Sequence, residues 1–154
     1  MIIAGAILAS VIILEIIVKF IVKKKTAEKP LKILGGCVEI SVCENRGLVL
    51  SKLKDKPGAA HILHAVSVVV CILLLIKPVM SKDTSAVFKV GAGLVLGGGI
   101  SNLLDRLTKG YVTDYIRFCK SKIKKLRRII FNIADFCIAI GAILLIIGAF
   151  KKSA

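Results

Sequence analysis

Four long apolar runs constrain this chain more than any other feature of its sequence. They lie at about residues 1–22, 59–76, 86–104 and 129–150. Each is close to the roughly 20 residues that a helix needs to cross the hydrocarbon core of a bilayer, which is about 30 Å thick. The sequence therefore predicts an all-α membrane protein, a four-transmembrane-helix bundle in a single integral membrane domain over residues 1–154.

Two long polar connections, 23–58 and 105–128, join the predicted helices. In the first, the run CVEISVCE alternates as a strand does, and Asn45-Arg46-Gly47 is a turn signal before the apolar block LVLSKL. This pattern predicts a small β-type loop element on the membrane surface. The second connection contains SKIKKLRR, whose interleaved Ile and Leu predict an amphipathic surface segment.

The charge of the chain indicates a lipid partner. The formal net charge is +15, from 24 Lys and Arg against nine Asp and Glu, and most of the basic residues lie in the two long connections. We therefore expect contact with anionic membrane lipids and no nucleic acid, since no nucleic-acid recognition motif accompanies the charge. By the positive-inside rule, both connections would lie in the cytoplasm.

The cysteines and histidines do not predict a cofactor. The five cysteines are scattered, and an odd number cannot all pair within one chain. His61 and His64 are three residues apart, but two histidines alone are a weak indication of a metal site. We expect no metal and no other cofactor.

The first apolar run carries two charged residues, Glu15 and Lys19. Their spacing of four places them on one helix face, where they can pair and so reduce the cost of burying either charge in the membrane. In one interpretation this pair serves function. In the other, Lys19 extends to the membrane interface and Glu15 is merely its partner.

Polar residues are concentrated between Gly97 and Asp135. Asn102, Asp105 and Arg106 share one face of the glycine-rich third helix, and Asn132 shares a face of the last helix with Asp135. Ionisable groups at membrane depth are costly and are functional candidates by default. The glycines predict that the third helix packs closely inside the bundle.

Asp114 and Asp135 are separated by the basic segment, so the chain can fold back and bring the two carboxyl groups together. Two carboxyl groups in a medium of low dielectric constant share one proton, which yields a general base and a general acid in one site. Such a pair can hydrolyse a peptide bond without a metal or a covalent intermediate. It also suits a small proton-coupled four-helix exporter, and a non-catalytic membrane adaptor is a third hypothesis.

The run GGGISNLLDRLTKGYVTDYIRF, followed by FNIADFCI, resembles the lipoprotein signal peptidases (signal peptidase II), which are membrane aspartic proteases of bacteria. That family carries N-x-x-D-R, then V-x-D followed by a hydrophobic residue, then F-N-x-A-D. The matching positions are Asn102, Asp105 and Arg106; Val112, Asp114 and Tyr115; and Phe131, Asn132, Ala134 and Asp135.

The resemblance implies roles for these residues. Asp114 and Asp135 fall on the catalytic pair of the family. Supporting or substrate-binding roles fall on Asn102, Asp105, Arg106, Asn132 and Ala134. Weaker matches add Glu15 and Lys19, from an Asp-Gln-x-x-Lys motif, and Asn45 and Gly47, from Asn-x-Gly-Ala-Ala-Phe. Glu in place of Asp, and Leu48 in place of Ala, indicate a divergent member.

The resemblance also implies a substrate and a location. The family removes the signal peptide from diacylglyceryl-modified prolipoproteins and cuts just before the lipidated cysteine. We therefore expect a multi-pass, monomeric protein of the bacterial cytoplasmic membrane. Its active site and β-type element would lie at the extracytoplasmic face, with both termini in the cytoplasm. This orientation opposes the charge count above, and we follow the resemblance because the substrate is lipid-modified at the outer leaflet.

Overall fold

The fold is mostly helical. A computed structural model of the chain describes residues 1–47, 57–124 and 126–151. It contains four helices: α1 (Ile2–Lys25), α2 (Pro57–Met80), α3 (Ala86–Lys109) and α4 (Ile133–Ala149). Three of them, α1 to α3, are long and apolar enough to cross a membrane, whereas α4 has 17 residues and is shorter. The structure thus supports a helical membrane protein, with three helices of full spanning length among the described residues.

Helix α3 lies at the centre and contacts each of the other three helices. Its glycines allow this, because a Cβ at Gly98 would lie 2.6 Å from the carbonyl oxygen of Ala134 on α4. A Cβ at Gly93 would lie 2.7 Å from the carbonyl oxygen of Ala4 on α1. The prediction that the glycine-rich helix packs inside the bundle is confirmed.

The bundle has polar groups inside and apolar groups outside. Glu15 and Lys19 are among the few buried residues of α1, with 0% and 6% of their surface exposed. Large apolar side chains of the helices face outward instead. Examples on three helices are Ile13, Ile16, Phe20, Leu63, Val66, Leu73, Leu74, Ile143 and Ile146. This distribution suits a hydrocarbon solvent, in which buried polar groups must find partners within the protein.

A four-stranded antiparallel sheet caps one end of the bundle. Its strands, in spatial order, are β1 (Leu31–Ile33), β2 (Val38–Asn45), β3 (Val112–Phe118) and β4 (Ile130–Phe131). The predicted strand CVEISVCE forms most of β2. The all-α description needs correction, because the first long connection supplies β1 and β2, and the second supplies β3. Strand β4 occupies the start of the predicted fourth span, 129–150, so that α4 begins only at Ile133. The apolar block LVLSKL that follows the turn begins at Leu48 and lies outside the described residues.

The basic segment after β3 reverses the chain direction. Its described residues form turns and a short 3₁₀ helix (Leu126–Arg128), and 59% of the Ile123 surface is exposed. Strand β4 then pairs with β3, with Ile116 opposite Phe131. This return places the start of α4 beside the strand that carries Asp114.

Candidate active site

The first turn of α4 is the point at which the polar groups of the site converge. Asn132 is the N-cap of α4, and its side-chain oxygen accepts a hydrogen bond of 2.9 Å from the backbone N–H of Asp135. In return, the Asp135 carboxylate accepts a bond of 3.0 Å from the backbone N–H of Asn132. This reciprocal capping box explains why Asn and Asp are needed three residues apart. It holds the Asp135 side chain in one orientation.

Asp114 lies on β3 and is held by two neutral amide groups. Its Oδ1 accepts a hydrogen bond of 2.7 Å from Asn132 Nδ2, and its Oδ2 accepts one of 2.9 Å from Asn45 Nδ2. The register of the sheet sets the second contact, because Asn45 lies opposite Val112, diagonally next to Asp114 on the neighbouring strand. Only 4% of the Asp114 surface is exposed.

Asp135 is the partner of Asp114 in the same site. Its Oδ1 accepts a hydrogen bond of 3.1 Å from Asn102 Nδ2 on α3. Asn132 joins the two carboxyl groups, because its side chain donates to Asp114 while its backbone N–H donates to Asp135. The structure therefore brings together the two aspartates that the sequence predicts as a pair, although 20 residues of chain separate them.

The environment of Asp114 favours its protonated form. Burial raises the pKa of Asp114, and the negative charge of Asp135 raises it further, against the lowering effect of the hydrogen bonds from Asn45 and Asn132. The result is a pKa of about 7. A carboxyl group with this pKa holds or releases a proton near neutral pH, as a general acid or base requires.

A separate cluster of ion pairs lies beside the aspartate pair. Lys19 Nζ lies 3.0 Å from Glu15 Oε2 and 3.1 Å from Asp105 Oδ2. Asp105 also pairs with Lys109 at 2.7 Å and accepts a bond of 2.9 Å from the Thr113 backbone N–H. The predicted pairing of Glu15 with Lys19 is confirmed. Asp105 thus pairs with two lysines, Lys19 on α1 and Lys109 one turn further along α3.

Glu15 connects this cluster to the first turn of α4. Its Oε1 accepts a hydrogen bond of 2.6 Å from the backbone N–H of Ala134 and one of 3.2 Å from the Tyr115 hydroxyl. The same hydroxyl oxygen accepts the backbone N–H of Ile133 at 3.2 Å. Burial and the charge of Glu15 raise the pKa of Tyr115, which keeps its hydroxyl protonated. Helix N-termini leave several N–H groups without intrahelical partners, and here side chains of other elements satisfy them.

Arg106 connects the helices to the turn after β2. Its guanidinium donates to the carbonyl oxygen of Gly47 at 2.9 Å, and a second nitrogen lies 2.9 Å from His64 Nδ1. The Gly47 backbone N–H donates to Asn45 Oδ1 at 3.1 Å, which orients the Asn45 amide so that its nitrogen faces Asp114. The turn predicted at Asn45-Arg46-Gly47 is thus part of the site.

The charges of the site balance when the aspartate pair holds one proton. Three cationic side chains lie in or beside the site: Lys19 and Arg106 are buried, and the Lys109 side chain is 41% exposed. Four carboxyl groups oppose them, those of Glu15, Asp105, Asp114 and Asp135. A single proton shared by Asp114 and Asp135 makes the cluster neutral. This is the favourable state in a medium of low dielectric constant.

The sequence did not predict roles for several residues of the site. His64 was considered as a metal ligand, yet it contacts Arg106, and Tyr115 was identified only as the apolar residue of a motif. Lys109 and Thr113 complete the surroundings of Asp105. A polar residue two turns into an apolar helix is the signal that could have identified His64. Among the described residues, no group of three or more His, Cys, Asp or Glu could hold a metal ion.

Comparison with known proteins identifies related sequences over most of the chain. Residues 7–151 match the family model of signal peptidase (SPase) II. A lipoprotein signal peptidase of Caldicellulosiruptor bescii is 34% identical over 139 residues, which cover 90% of this chain and 85% of the relative. Another, of Halothermothrix orenii, is 33% identical over 145 residues, or 92% and 91% of the two chains.

Solved structures show the same fold. A bacterial membrane enzyme determined by the in meso method at 2.3 Å resolution superposes with a TM-score of 0.77 at 24% identity. The superposition covers 96% of this chain and 87% of that chain. A second such structure, at 1.9 Å resolution, gives a TM-score of 0.74 over 96% and 92% of the two chains, also at 24% identity.

These relatives decide between the three hypotheses raised by the sequence. They identify a membrane-bound hydrolase that processes lipoproteins, and so decide against the exporter and the adaptor. The family model and the relatives above 30% identity cover most of the chain. The chain therefore belongs to the signal peptidase II family of proteases.

Proposed function

We propose that Asp114 and Asp135 are the catalytic pair of a lipoprotein signal peptidase. The observation that carries this proposal is the Asn132 bridge, which donates one hydrogen bond to each carboxyl group. Neither carboxyl group forms an ion pair with Lys or Arg in the described part of the chain. Their charge is therefore not permanently neutralised, and a shared proton remains available for chemistry.

In the proposed reaction, the ionised carboxylate takes a proton from a water molecule as it attacks the scissile carbonyl carbon. The protonated carboxyl group donates its proton to the carbonyl oxygen, and a tetrahedral intermediate forms. The C–N bond then breaks as the leaving amine takes up a proton from one carboxyl group, and the other carboxylate takes a hydroxyl proton from the intermediate, which restores the shared proton of the pair. The amine is that of the diacylglyceryl-modified cysteine, so the products are the free signal peptide and a lipoprotein that begins with this cysteine.

The length of α4 supports a site below the membrane surface. A helix of 17 residues is about 26 Å long, somewhat less than the hydrocarbon core. We propose that α4 is the fourth span and reaches the cytoplasmic interface at its C-terminal end. Asp135, in its first turn, would then lie a few ångströms inside the outer leaflet, at the depth of the scissile bond of a substrate anchored by its acyl chains.

The proposed location follows from the substrate, which is lipid-modified at the outer leaflet. The sheet lies at the same end of the bundle as Asp114 and Asp135, so we place this end at the extracytoplasmic face of the bacterial cytoplasmic membrane. The basic connections would then meet anionic lipid headgroups. We propose that the enzyme works as a monomer without a nucleic-acid partner. A reporter fused to the C-terminus tests the orientation, and an extracytoplasmic C-terminus would contradict it.

Cleavage of a diacylglyceryl-modified prolipoprotein by the purified enzyme tests the catalytic pair. Asp114→Asn and Asp135→Asn should each lower kcat by about a thousandfold or more, because each removes a proton-transfer group from the site. The matched control is Asp83→Asn, since Asp83 is exposed in the turn at the opposite end of the bundle. Thermal unfolding of each variant establishes that it is folded. Undiminished cleavage by either folded variant would remove that aspartate from the reaction.

A further inference from the structure

His64 is a half-buried titratable group that the proposed mechanism does not use. It lies two turns into α2, and its ring contacts α3 at both nitrogens. Nε2 lies 3.1 Å from the carbonyl oxygen of Gly99, and Nδ1 lies 2.9 Å from a guanidinium nitrogen of Arg106. His61, one turn earlier, has a buried Nε2 without a hydrogen-bond partner among the described residues. The two histidines therefore differ sharply in their surroundings.

The two contacts of His64 require one protonation state. A guanidinium group can only donate hydrogen bonds, so Nδ1 must accept and carries no proton. A carbonyl oxygen can only accept, so Nε2 carries the proton and donates it to Gly99. His64 is thus a neutral imidazole with a fixed tautomer, and its lone pair faces Arg106.

Arg106 transmits this constraint toward the aspartate pair. Besides His64, its guanidinium holds the carbonyl oxygen of Gly47, whose N–H in turn orients the amide of Asn45. Asn45 donates to Asp114. A continuous series of hydrogen bonds therefore runs from His64 through Arg106 and the turn after β2 to the Asp114 carboxyl group.

We propose that His64 is a positioning residue for the cleavage reaction. It holds Arg106 against the Gly47 carbonyl and thereby keeps the Asn45 amide on Asp114. Helix α3 alone does not hold the Arg106 guanidinium in this position. Within α3 the guanidinium donates a hydrogen bond to the Asn102 carbonyl oxygen, and this bond is long, at 3.5 Å. The proposal rests on the function proposed for Asp114.

Loss of the contact between His64 and Arg106 should change the pH dependence of cleavage. Asn45 and the positive charge of Arg106 both favour the ionised form of Asp114, while Asp135 on α4 opposes it and Lys19 on α1 supports it. When the contact of Arg106 with His64 is lost, the pKa of Asp114 should rise. In the pH profile of kcat/KM, the basic limb is the fall in rate at high pH, where the pair loses its shared proton. This basic limb should then move to higher pH.

The experiment compares two substitutions at position 64 in the cleavage assay. His64→Leu removes the acceptor, and it should lower kcat/KM about tenfold and move the basic limb to higher pH, because a hydrogen bond to a charged group is lost. His64→Asn keeps an acceptor oxygen near the position of Nδ1, and it should restore kcat/KM to within about twofold and the limb to its original pH. His61→Leu is the matched control and should resemble the parent.

A double-mutant cycle separates positioning from simple packing. Lys cannot reproduce the forked contacts of Arg, so Arg106→Lys should already release the turn. His64→Leu should then have no further effect on kcat/KM in the Arg106→Lys background. Should His64→Leu fail to fold, as measured by thermal unfolding, His64→Met replaces it, since its thioether is only a weak acceptor.

Two results would overturn the proposal. One is a parental kcat/KM and basic limb in folded His64→Leu, and the other is a full additional loss when this change is combined with Arg106→Lys. Both are distinct from a failure of the proposed function, which would show as cleavage by Asp114→Asn. The comparison of His64→Leu with His64→Asn remains valid in that case.

Discussion

Two groups of carboxyl side chains, all buried except the half-buried Asp135, lie side by side in this protein and are stabilised in opposite ways. Asp105 and Glu15 form ion pairs with Lys19, and Asp105 has a second cation in Lys109. The donors that Asp114 and Asp135 receive are neutral amides. Paired charges in a membrane interior stabilise structure, whereas carboxyl groups held only by amides retain an exchangeable proton. All four side chains are carboxylic acids, so the groups that donate hydrogen bonds to each one decide whether it stabilises the structure or keeps an exchangeable proton.

The largest effect on stability is expected at Lys19, the centre of the ion-pair cluster. Lys19→Met leaves Glu15 and Asp105 buried with one cation fewer, a change that costs about 3–5 kcal/mol for buried pairs. The melting temperature in detergent should fall by about 10 °C. Lys23→Met, on the exposed end of the same helix, is the matched control. Equal melting temperatures for the two variants would show that the cluster is not structural.

Asparagine at Asp105 and at Asp114 should have opposite consequences. Asp105→Asn weakens bonds with two cations and should lower the melting temperature by about 5 °C, since hydrogen bonds to charged groups contribute roughly 1.5–3 kcal/mol. Asp114→Asn removes a carboxyl group that no cation pairs and whose ionised form is disfavoured by burial, so the melting temperature should be unchanged or higher. Thermal unfolding of both variants, with Asp83→Asn as reference, measures this. The distinction between the two groups fails if Asp114→Asn is the less stable variant.

The pH profile of cleavage should show an effect that grows gradually with pH. The pKa of Asp114 is about 7 beside an ionised Asp135. As pH rises through this value the pair loses its shared proton, and kcat/KM should fall about tenfold for each further pH unit. Initial rates between pH 5 and 9 measure this limb, with thermal unfolding at each pH as the control. A flat profile to pH 9 would contradict a shared proton.

The raised pKa of Asp114 also makes the stability of the folded protein fall as pH rises. The pKa of Asp114 in the folded protein is raised above the ordinary value of 3.8. Its contribution to stability is therefore complete below about pH 4 and is lost as pH rises through about 7. The difference in melting temperature between the parent and Asp114→Asn should change over this window. No such change is expected for Asp83→Asn.

Much of the site could be predicted from local sequence. The spacing of Asn102, Asp105 and Arg106 places them on one helix face of α3. The pairing of Glu15 with Lys19 follows from the same kind of local periodicity. These predictions succeed because helical geometry alone fixes which residues are neighbours. The prediction that Asn132 shares a helix face with Asp135 was wrong, because Asn132 is the N-cap that precedes α4 and caps its first turn.

Contacts between distant parts of the chain could not be predicted in this way. Glu15 reaches the backbone of Ala134, 119 residues later, and His64 reaches Arg106, 42 residues later. The strand around Glu39 pairs with β3 from the other connection, across a register shift between Ile40 and Cys43. Strand partners and interhelical contacts depend on how the helices pack, for which no local pattern exists.

The sequence by itself determined the apolar helices, the glycine-rich face of α3 and the two aspartates that form a pair. The first two follow from hydrophobic run length and from short-range spacing, which are local properties of a chain in a membrane, whereas the aspartate pair follows from the resemblance to the signal peptidase II motifs. The tertiary structure alone decided which aspartates are neutralised by lysines and which are held by amides. That distinction depends on the position of Lys19 between α1 and α3 and of Asn132 between Asp114 and Asp135. It arises only when segments far apart in sequence are brought within hydrogen-bond distance.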